Sequence, residues 1–502
     1  MQMRLDALKI NKAGMRLLGV LLCCSMATCG KDKVGDEGDD DPVPSNAVEE
    51  PRRPGIAWEV KLPLGTVSSP RLVHSAAGPE ILMAFGHEFA VSGGLVAVNV
   101  STGAFRWRVE TEQELFALPT PLTPWPGGER PWVVAGRDGQ LHAVDLVSGE
   151  VLWRFLPFGE EARSRGIHNF YTGREFGDVN GDGVLDYLVV NGGDSKRGTY
   201  EVRPPGYLAV LSGAAGSIIH WIQVPDGRES YCSPLIWHRT GEEWVVFGSG
   251  GETFPGDLWG VPAQSVAAGH LEGVRSLVVH EEEKGAIAPP SFADLDGDGE
   301  PELIAVPFDG RLVVLSGSTM EPLWSFDATD GEETQSSPAV GDFDGDGDLD
   351  VVTVEQLGVF PQWVGSAIRA FDGASGTLLW EHRVTGNLVP QSPLAVDLDD
   401  DGRDEILISE SNPAIMRGEQ SEALFQVLHM GEGRIDTVAR ADGANFGTGW
   451  VGDADDDGLL EWFVPLMKRG GYGSLLRINL AGRAPAHIAW GGYLGTQHDG
   501  GY

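Results

Sequence analysis

The sequence predicts an all-β chain folded as an eight-bladed β-propeller of four-stranded antiparallel blades. Three observations predict this fold. An acidic nonapeptide occurs five times, a turn leading into a short apolar strand occurs eight times, and hairpins that end in tryptophan recur between them. Four strand signals in a repeat of about 40–55 residues are typical of propeller blades.

The N-terminal 29 residues resemble a bacterial lipoprotein signal peptide. A basic residue precedes the apolar run 17–22, and Cys29 stands where such proteins carry the lipidated cysteine. Met15 is an alternative start, and an ordinary signal peptide is the alternative to lipidation. Residues 30–55 are acidic and poor in large apolar side chains, which predicts a disordered linker. The propeller is then predicted over residues 56–502.

Charge and cysteine content narrow the possible partners. The formal net charge is −38, from 36 basic and 74 acidic residues, which argues against nucleic acid as a ligand. Only Cys232 lies beyond the signal peptide, so no intramolecular disulfide is available to the mature chain. We expect a monomer that meets the membrane only through its lipid anchor.

The acidic nonapeptide has the pattern D-x-[DN]-x-D-G-x-x-[DE]. Oxygen ligands at alternate positions, with glycine at the sixth for a sharp turn, suit calcium. We expect side-chain ligands at positions one, three, five and nine and a main-chain carbonyl at position seven. The predicted ligands of about five calcium ions are Asp178, Asn180, Asp182, Val184 and Asp186; Asp294, Asp296, Asp298, Glu300 and Glu302; Asp342, Asp344, Asp346, Asp348 and Asp350; Asp397, Asp399, Asp401, Arg403 and Glu405; and Asp453, Asp455, Asp457, Leu459 and Glu461.

These loops do not fit an EF-hand, which needs a glutamate at position twelve and flanking helices. Position twelve is Val189, Ala305, Thr353, Ile408 and Val464. Short apolar runs follow each loop, as in Leu-Ile-Ala-Val over 303–306, and such runs are typical of strands. Each loop therefore joins two strands of a hairpin. An acidic solvated turn without metal is the alternative.

The repeat can be counted from its turns. Eight predicted strand starts lie at 70, 121, 174, 234, 290, 338, 393 and 449, a mean spacing of about 54 residues. Hairpins end at Trp107, Trp153 and Trp380, and we expect this tryptophan stripe to pack between blades. The strand that closes the ring is either the one holding Trp58 or the one holding Trp490.

The five acidic hairpins resemble FG-GAP/VCBS repeats, the blades of integrin α-subunit propellers and of many bacterial surface proteins. The hairpins ending in tryptophan also resemble quinoprotein-type blades, whose usual form is an eight-bladed ring. The resemblance implies that calcium braces these hairpins and does no chemistry. Three blades depart from the pattern, because His74–Glu80, Trp125–Arg130 and His238–Glu243 hold too few carboxylates.

The order of strands in a blade places all five acidic loops on one face of the ring. Long connections at 158–173, 191–206, 250–272, 355–366, 409–421 and 467–474 are expected on the opposite face, where loops on a rigid scaffold tend to carry recognition. They hold the basic and aromatic residues Arg165, His168, Tyr171, Lys196, Arg197, Tyr200, Arg203, Phe254, Trp259, Phe360, Trp363, Arg417, Lys468, Arg469 and Tyr472.

These observations favour a non-enzymatic binding or adhesion module that presents the loop-rich face to a glycan or protein. We expect an exported protein of the bacterial cell envelope, an outer-membrane lipoprotein facing the periplasm or the cell surface. A polysaccharide lyase is the first alternative, since rhamnogalacturonan lyases have similar hairpins, with His168 and His498 as candidates. A quinone-dependent dehydrogenase is the second. Its usual cysteine pair occurs here only as Cys23-Cys24, within the leader.

Overall fold

The structure is a computed structural model that describes residues 54–87, 92–122, 131–194, 196–279, 284–328, 331–412, 414–415, 418–485 and 487–502. The predicted signal peptide with Cys29, the linker up to residue 53, and Arg417 lie outside the described residues. Within the described ranges, no helix combines the length and apolar character needed to cross a membrane.

The described residues form eight antiparallel sheets arranged in sequence order, which confirms the predicted eight-bladed propeller. A first strand, β1 (Gly55–Leu62), belongs to the last sheet, and its start lies one residue before the predicted boundary. Blades one to four consist of β2 (Arg71–Ser75), β3 (Gly78–Gly86), β4 (Gly93–Asn99) and β5 (Phe105–Thr111); β6 (Thr120–Pro121), β7 (Pro131–Ala135), β8 (Leu141–Asp145) and β9 (Val151–Arg154); β10 (Asn169–Phe170), β11 (Arg174–Phe176), β12 (Asp186–Gly192), β13 (Tyr207–Leu211) and β14 (Ile218–Gln223); and β15 (Leu235–Arg239), β16 (Glu242–Gly248), β17 (Leu258–Pro262) and β18 (Arg275–Val278).

Blades five to eight repeat the same order. They consist of β19 (Ser291–Ala293), β20 (Glu302–Ala305), β21 (Leu312–Leu315) and β22 (Pro322–Phe326); β23 (Glu332–Glu333), β24 (Ala339–Gly341), β25 (Asp350–Leu357), β26 (Gly365–Asp372) and β27 (Leu378–Thr385); β28 (Leu394–Val396), β29 (Glu405–Ser411), β30 (Glu422–His429) and β31 (Arg434–Asp442); and β32 (Trp450–Gly452), β33 (Leu459–Met467) and β34 (Gly473–Arg483), completed by β1. Within the described part of the chain, two short helices, α1 (Glu160–Ser164) and α2 (Ala263–Ala267), lie in connections.

The N-terminal strand closes the ring. β1 pairs with β34 along the outer edge of blade eight, so the strand with Trp58 takes the fourth position and the one with Trp490 does not. The Trp58 indole Nε1 donates to the Val100 carbonyl of blade one at 3.0 Å. Blade eight is thereby built from β1 and the last three strands of the described chain. Its tryptophan-to-carbonyl bond to blade one resembles the bonds that join other blades.

The tryptophan stripe packs between blades, as predicted. Trp107 of blade one donates from Nε1 to Leu146 of blade two, and Trp153 of blade two donates to Gly213 of blade three. The indole lies against a glycine in the turn of the following blade. At Gly149, which has φ +72°, an added Cβ would lie 2.7 Å from Cδ2 of Trp107. Only glycine combines this left-handed conformation with so close an approach.

The predicted strand starts agree with the observed inner strands to within one residue, and the hydroxyl residues before them have a role. The Ser337 amide donates to Oγ of Ser392, and the Ser392 amide donates to Oγ1 of Thr448. The Leu118 amide donates to Oγ1 of Thr172 in the same way. A serine or threonine at this position therefore links the inner strand of one blade to that of the next.

Buried apolar side chains form layers between successive sheets. One cluster combines Val133 and Ala143 of blade two with Tyr187 and Val189 of blade three. Another combines Leu407 of blade seven with residues of blade eight. Second strands such as β12 and β20 are buried along their whole length, and they therefore contain nearly continuous apolar runs in the sequence.

The two faces of the ring follow from the strand order. The connections between first and second strands lie on one face, here called the acidic-loop face, and the connections between second and third strands and between blades lie on the loop-rich face. The predicted insertion 250–272 was wrong in part, since it contains β17 and α2, and Trp259 lies on that strand. The insertion 355–366 likewise shrinks to the connection 358–364 between β25 and β26.

The C-terminal residues 487–502, here called the axial tail, enter the centre of the ring from the acidic-loop face after β34 ends. Trp490 exchanges two backbone hydrogen bonds with Ala395 of blade seven, and Gly491 accepts from Val451 of blade eight. Phe292 of blade five donates to Gly500 and accepts from Tyr502. Trp490 is fully buried. The tail thus ties inner strands of non-adjacent blades together across the axis.

Candidate metal centres and the loop-rich face

The five acidic loops, named by their blades as loops three, five, six, seven and eight, share one closed conformation. In loop five, the Gly299 amide donates to Asp294, the Leu295 amide to Glu302 and the Glu300 amide to Asp298. The equivalent bonds in all five loops measure 2.7–3.0 Å. Backbone amides therefore orient the first, fifth and ninth carboxylates within each loop.

The oriented carboxylates converge. In loops five, six and eight, one oxygen from each of positions one, three and nine lies within 4.8 Å of the others, in the triads Asp294, Asp296 and Glu302; Asp342, Asp344 and Asp350; and Asp453, Asp455 and Glu461. In loop five, Oδ1 of Asp294 is buried without a hydrogen-bond partner. Such oxygen-only sets fit a hard cation such as calcium. Loop three differs, because Asn180 replaces the third-position aspartate and its amide lies 2.9 Å from Asp182.

The ninth-position carboxylates are the most perturbed groups of the loops. Burial, followed by the negative charge of the neighbouring aspartates, raises the pKa of Asp350 and Glu461 to about 7 and that of Glu405 to about 8. Burial also raises the pKa of Asp186 and of Glu302. A bound cation would stabilise the charged form of these carboxylates, because it would replace the hydration that they lose on burial.

In loop eight, a positively charged side chain of the protein contacts the acidic loop. The buried Arg477 places Nη2 2.9 Å from Glu461 and 3.0 Å from Asp455, both predicted calcium ligands. A guanidinium paired with two ligands competes with a metal ion for them. In loop eight, Arg477 therefore already pairs with two of the residues that are predicted to bind calcium.

Two of the three departing blades have tight turns in place of acidic loops. β2 and β3 are joined through Ser75–Gly78, and β15 and β16 through a turn beside His238, whose Nδ1 lies 3.1 Å from Glu243. Residues 125–130 lie outside the described residues.

On the loop-rich face, several of the predicted recognition residues are part of the framework. Phe360 and Trp363 are buried together with Phe308, and Lys468 is buried with its Nζ 2.6 Å from Glu59. Other members of the set remain accessible, with Tyr200 66% exposed.

Ion pairs hold other members of the set. Arg203 is paired with Glu229 at 3.0 Å and with the Tyr231 hydroxyl at 2.6 Å. Arg165 pairs with Glu161, Lys196 with Glu160 and Arg197 with Asp194. These contacts hold the loops of this face in place. The positive charges of these four side chains are therefore already paired within the protein.

A group of buried and half-buried polar side chains at the axial mouth of this face was missed by sequence reasoning. Thr334, Gln335, Ser336, Gln391 and Asn445, here called the polar arc, lie in three successive connections between blades five and eight. Each has a buried side-chain oxygen without a protein partner. Buried polar atoms need a hydrogen-bond partner from water or a ligand. The serine-rich turns at 336–337 and 392 are the one signal in the sequence that points here.

The two histidines considered for catalysis lie apart. His168 precedes β10 in the connection between blades two and three, whereas His498 belongs to the axial tail, where Nδ1 contacts the Tyr493 carbonyl at 2.8 Å. His168 is 3% exposed and neither ring nitrogen has a partner. Burial lowers the pKa of both rings, that of His498 to about 3. The structure therefore brings no histidine pair together at these positions.

Comparison with known families supports the blade interpretation. The family described as FG-GAP-like repeat matches residues 292–353, from the inner strand of blade five to the second strand of blade six. The family described as outer membrane protein assembly factor BamB matches residues 51–186. Among curated proteins, FAM234A from Bos taurus is 27% identical over 322 residues, 61% of this chain and 52% of that protein. The chain thus spans about half the length of this relative.

Solved structures share the fold at low identity. BamB from Moraxella catarrhalis superposes with a TM-score of 0.50 at 13% identity, covering 84% of this chain and 99% of that one. A quinohemoprotein alcohol dehydrogenase from Pseudomonas putida HK5 reaches a TM-score of 0.53 at 13% identity, covering 86% and 77%. At such low sequence identity, these superpositions show a shared fold only. The comparisons confirm the resemblance to FG-GAP-like repeat propellers with quinoprotein-like blades.

Proposed function

We propose that this protein is a calcium-braced propeller of the cell envelope that acts by binding, and that its ligand docks on the loop-rich face over the polar arc. The observation that carries the proposal is the set of buried, unpartnered oxygens in the arc. Oxygen atoms that accept hydrogen bonds without a protein donor favour a ligand rich in hydroxyl or amide groups, such as a glycan or an exposed peptide.

Calcium has a structural role in this proposal. We assign it to loops three, five, six and seven, and expect weaker binding at loop eight because Arg477 already pairs with two of its ligands. All of these loops lie on the face opposite the polar arc. Calcium would therefore hold inner and second strands together and keep the arc in shape without touching the ligand.

The axial tail supports the choice of face. The tail enters the ring from the acidic-loop face and is hydrogen-bonded to the inner strands there. Because the tail fills that end of the axis, a ligand would approach the axis from the loop-rich face. The location in the envelope is inferred from the predicted leader, and from the similarity to a family whose description names outer membrane protein assembly.

The test is binding of the calcium-loaded protein to immobilised neutral and acidic oligosaccharides and to envelope proteins. Gln335→Ala combined with Gln391→Ala should weaken binding at least tenfold. Gln264→Ala, an exposed glutamine in α2 on the opposite face, is the matched control and should bind like the parent. Equal binding by the double variant, with its fold intact by circular dichroism, would exclude the polar arc as the site.

A second candidate function, catalysis, is favoured by one observation. His168 is buried with both ring nitrogens unpartnered, and burial lowers its pKa, against the opposing effect of the negative charges of Asp194 and Asp138. A neutral imidazole beside carboxylates could act as a general base on a polysaccharide. Ultraviolet absorbance of an unsaturated product from polyuronides, present in the parent and lost in His168→Ala, would favour the lyase over the binding module.

A further inference from the structure

Loop seven differs from the other acidic loops in the residue that faces its ninth-position carboxylate. Ile406 pairs with Leu428, so His429 lies opposite Glu405 on the third strand of the blade. The equivalent residue is Asp372 in blade six and Asn479 in blade eight. In blades three and five the register places Ser212 and Ser316 there. Among the five acidic loops, loop seven is the one with an imidazole at this place.

The imidazole contacts two carboxylates. His429 Nδ1 lies 3.2 Å from Oε1 of Glu405, and Nε2 lies 3.4 Å from Oδ2 of Asp436. In blades three and five a backbone amide takes the corresponding place, where Gly213 and Gly317 donate to the ninth carboxylate. A ring nitrogen can replace that donor, but unlike an amide it can also coordinate a metal ion.

Loop seven also arranges its carboxylates differently. It contains two triads whose ligand atoms lie within 4.8 Å of one another, Asp397 with Asp399 and Asp401, and Asp399 with Glu405 and His429. Asp399 is common to both. In loops five, six and eight the ninth carboxylate instead joins positions one and three. Two triads that share one aspartate are the arrangement expected for two neighbouring cations.

The surroundings leave room for a second ion. A cavity of about 540 Å³ between blades seven and eight is lined by Asp397, Asp399, His429, Asp436 and residues 480–485. Glu405 and His429 are buried, whereas Asp399 is exposed. An ion held by these three residues would be reached from the cavity and could keep water in its remaining coordination positions.

We propose that loop seven has a second metal position, formed by Asp399, Glu405 and His429, for a divalent cation that accepts imidazole nitrogen, of the zinc and manganese class. Calcium prefers oxygen ligands alone, whereas zinc binds carboxylate oxygen and histidine nitrogen at about 2.0–2.2 Å. The proposal rests on the calcium loops of the proposed function, with Asp399 and Glu405, both predicted calcium ligands of loop seven, shared between the two ions.

Cobalt(II) is the probe, since its visible spectrum reports coordination by imidazole and carboxylate. The protein is first saturated with calcium, and bound calcium is counted before and after cobalt is added. We expect about one equivalent of cobalt without release of calcium, and at least a tenfold loss of cobalt affinity in His429→Asn. His238→Ala removes another histidine paired with a glutamate and should bind cobalt like the parent.

The outcomes separate this inference from the proposed function. If the protein binds calcium but no cobalt, or if cobalt replaces calcium one for one, the second metal position is refuted while the calcium loops stand. Equal cobalt binding by His429→Asn also refutes it. If neither ion binds, the calcium-braced loops themselves are refuted. Circular dichroism and an unchanged calcium count in His429→Asn show that the variant is folded.

Discussion

Closure of the ring by the N-terminal strand leads to a quantitative prediction for Trp58→Ala. The half-buried indole packs near Phe463, with ring centroids 5.8 Å apart, and donates to Val100 at 3.0 Å. Removing a fully buried tryptophan lowers the free energy of unfolding by about 3–5 kcal/mol. Since Trp58 is half-buried, we expect a loss of about 2–3 kcal/mol, of which the hydrogen bond contributes about 1 kcal/mol.

Guanidinium unfolding in saturating calcium, followed by circular dichroism, measures this loss. Trp58→Phe, which keeps a ring but loses the donor, should lose about 1 kcal/mol. Ile56→Ala, at a 41% exposed position on the same strand, should change the free energy of unfolding by about 0.5 kcal/mol or less. If Trp58→Ala unfolds like Ile56→Ala, the N-terminal strand does not hold blade eight and the reasoning on closure is refuted.

Three further predictions concern single residues. Gly149→Ala should lower the melting temperature more than Gly166→Ala, because both have positive φ but only Gly149 faces a tryptophan at 2.7 Å; equal effects would contradict the packing explanation. Arg477→Met should make stability more dependent on calcium than Arg311→Met does, since it leaves Asp455 and Glu461 without their cation; differential scanning fluorimetry with calcium and with chelator decides this. The axial tail should loosen as the pH falls below about 6.5, because the pKa of folded His498 is lowered to about 3 and an unfolded histidine then binds more protons. Hydrogen exchange of the tail at pH 7.5 and pH 4.5 should show the change in the parent and not in His498→Asn, where asparagine tolerates the φ of +62°.

Local turn chemistry explains why much of the fold could be predicted from sequence. Each acidic nonapeptide fixes a hairpin because the amide of its sixth-position glycine donates to its first aspartate, as Gly299 donates to Asp294. Both residues lie within the loop, so the bond needs no distant partner. Strand starts were found to within one residue because serine or threonine before proline or glycine serves as an inter-blade hydrogen-bond acceptor, as at Ser392. The tryptophan stripe was assigned to the inter-blade core for a similar reason.

Features that depend on the closed ring could not be predicted. Trp58 and Trp490 have similar sequence surroundings, and only the three-dimensional pairing of β1 with β34 separates them. The axial tail lacks strand periodicity and is glycine-rich, so nothing local indicates that it fills the axis. Residues 258–262 were assigned to a loop because the strand is short and flanked by glycine and proline.

The same limit applies to the candidate metal centres. Arg477 and His429 lie on third strands, 16 and 24 residues beyond the carboxylates that they contact. Their positions relative to the loops follow from strand register, which the nonapeptide pattern does not contain. Phe360 and Trp363, expected in a recognition surface, are instead buried with Phe308, because a short loop folds its own apolar side chains inward.

The most direct test of the calcium-braced propeller is isothermal titration of the chelator-treated protein with calcium, together with its thermal unfolding at each point of the titration. We predict four tight sites, a weaker fifth at loop eight, and a melting temperature that rises as the tight sites fill. Absence of calcium binding, or a melting temperature that does not respond to bound calcium, would contradict the central claim.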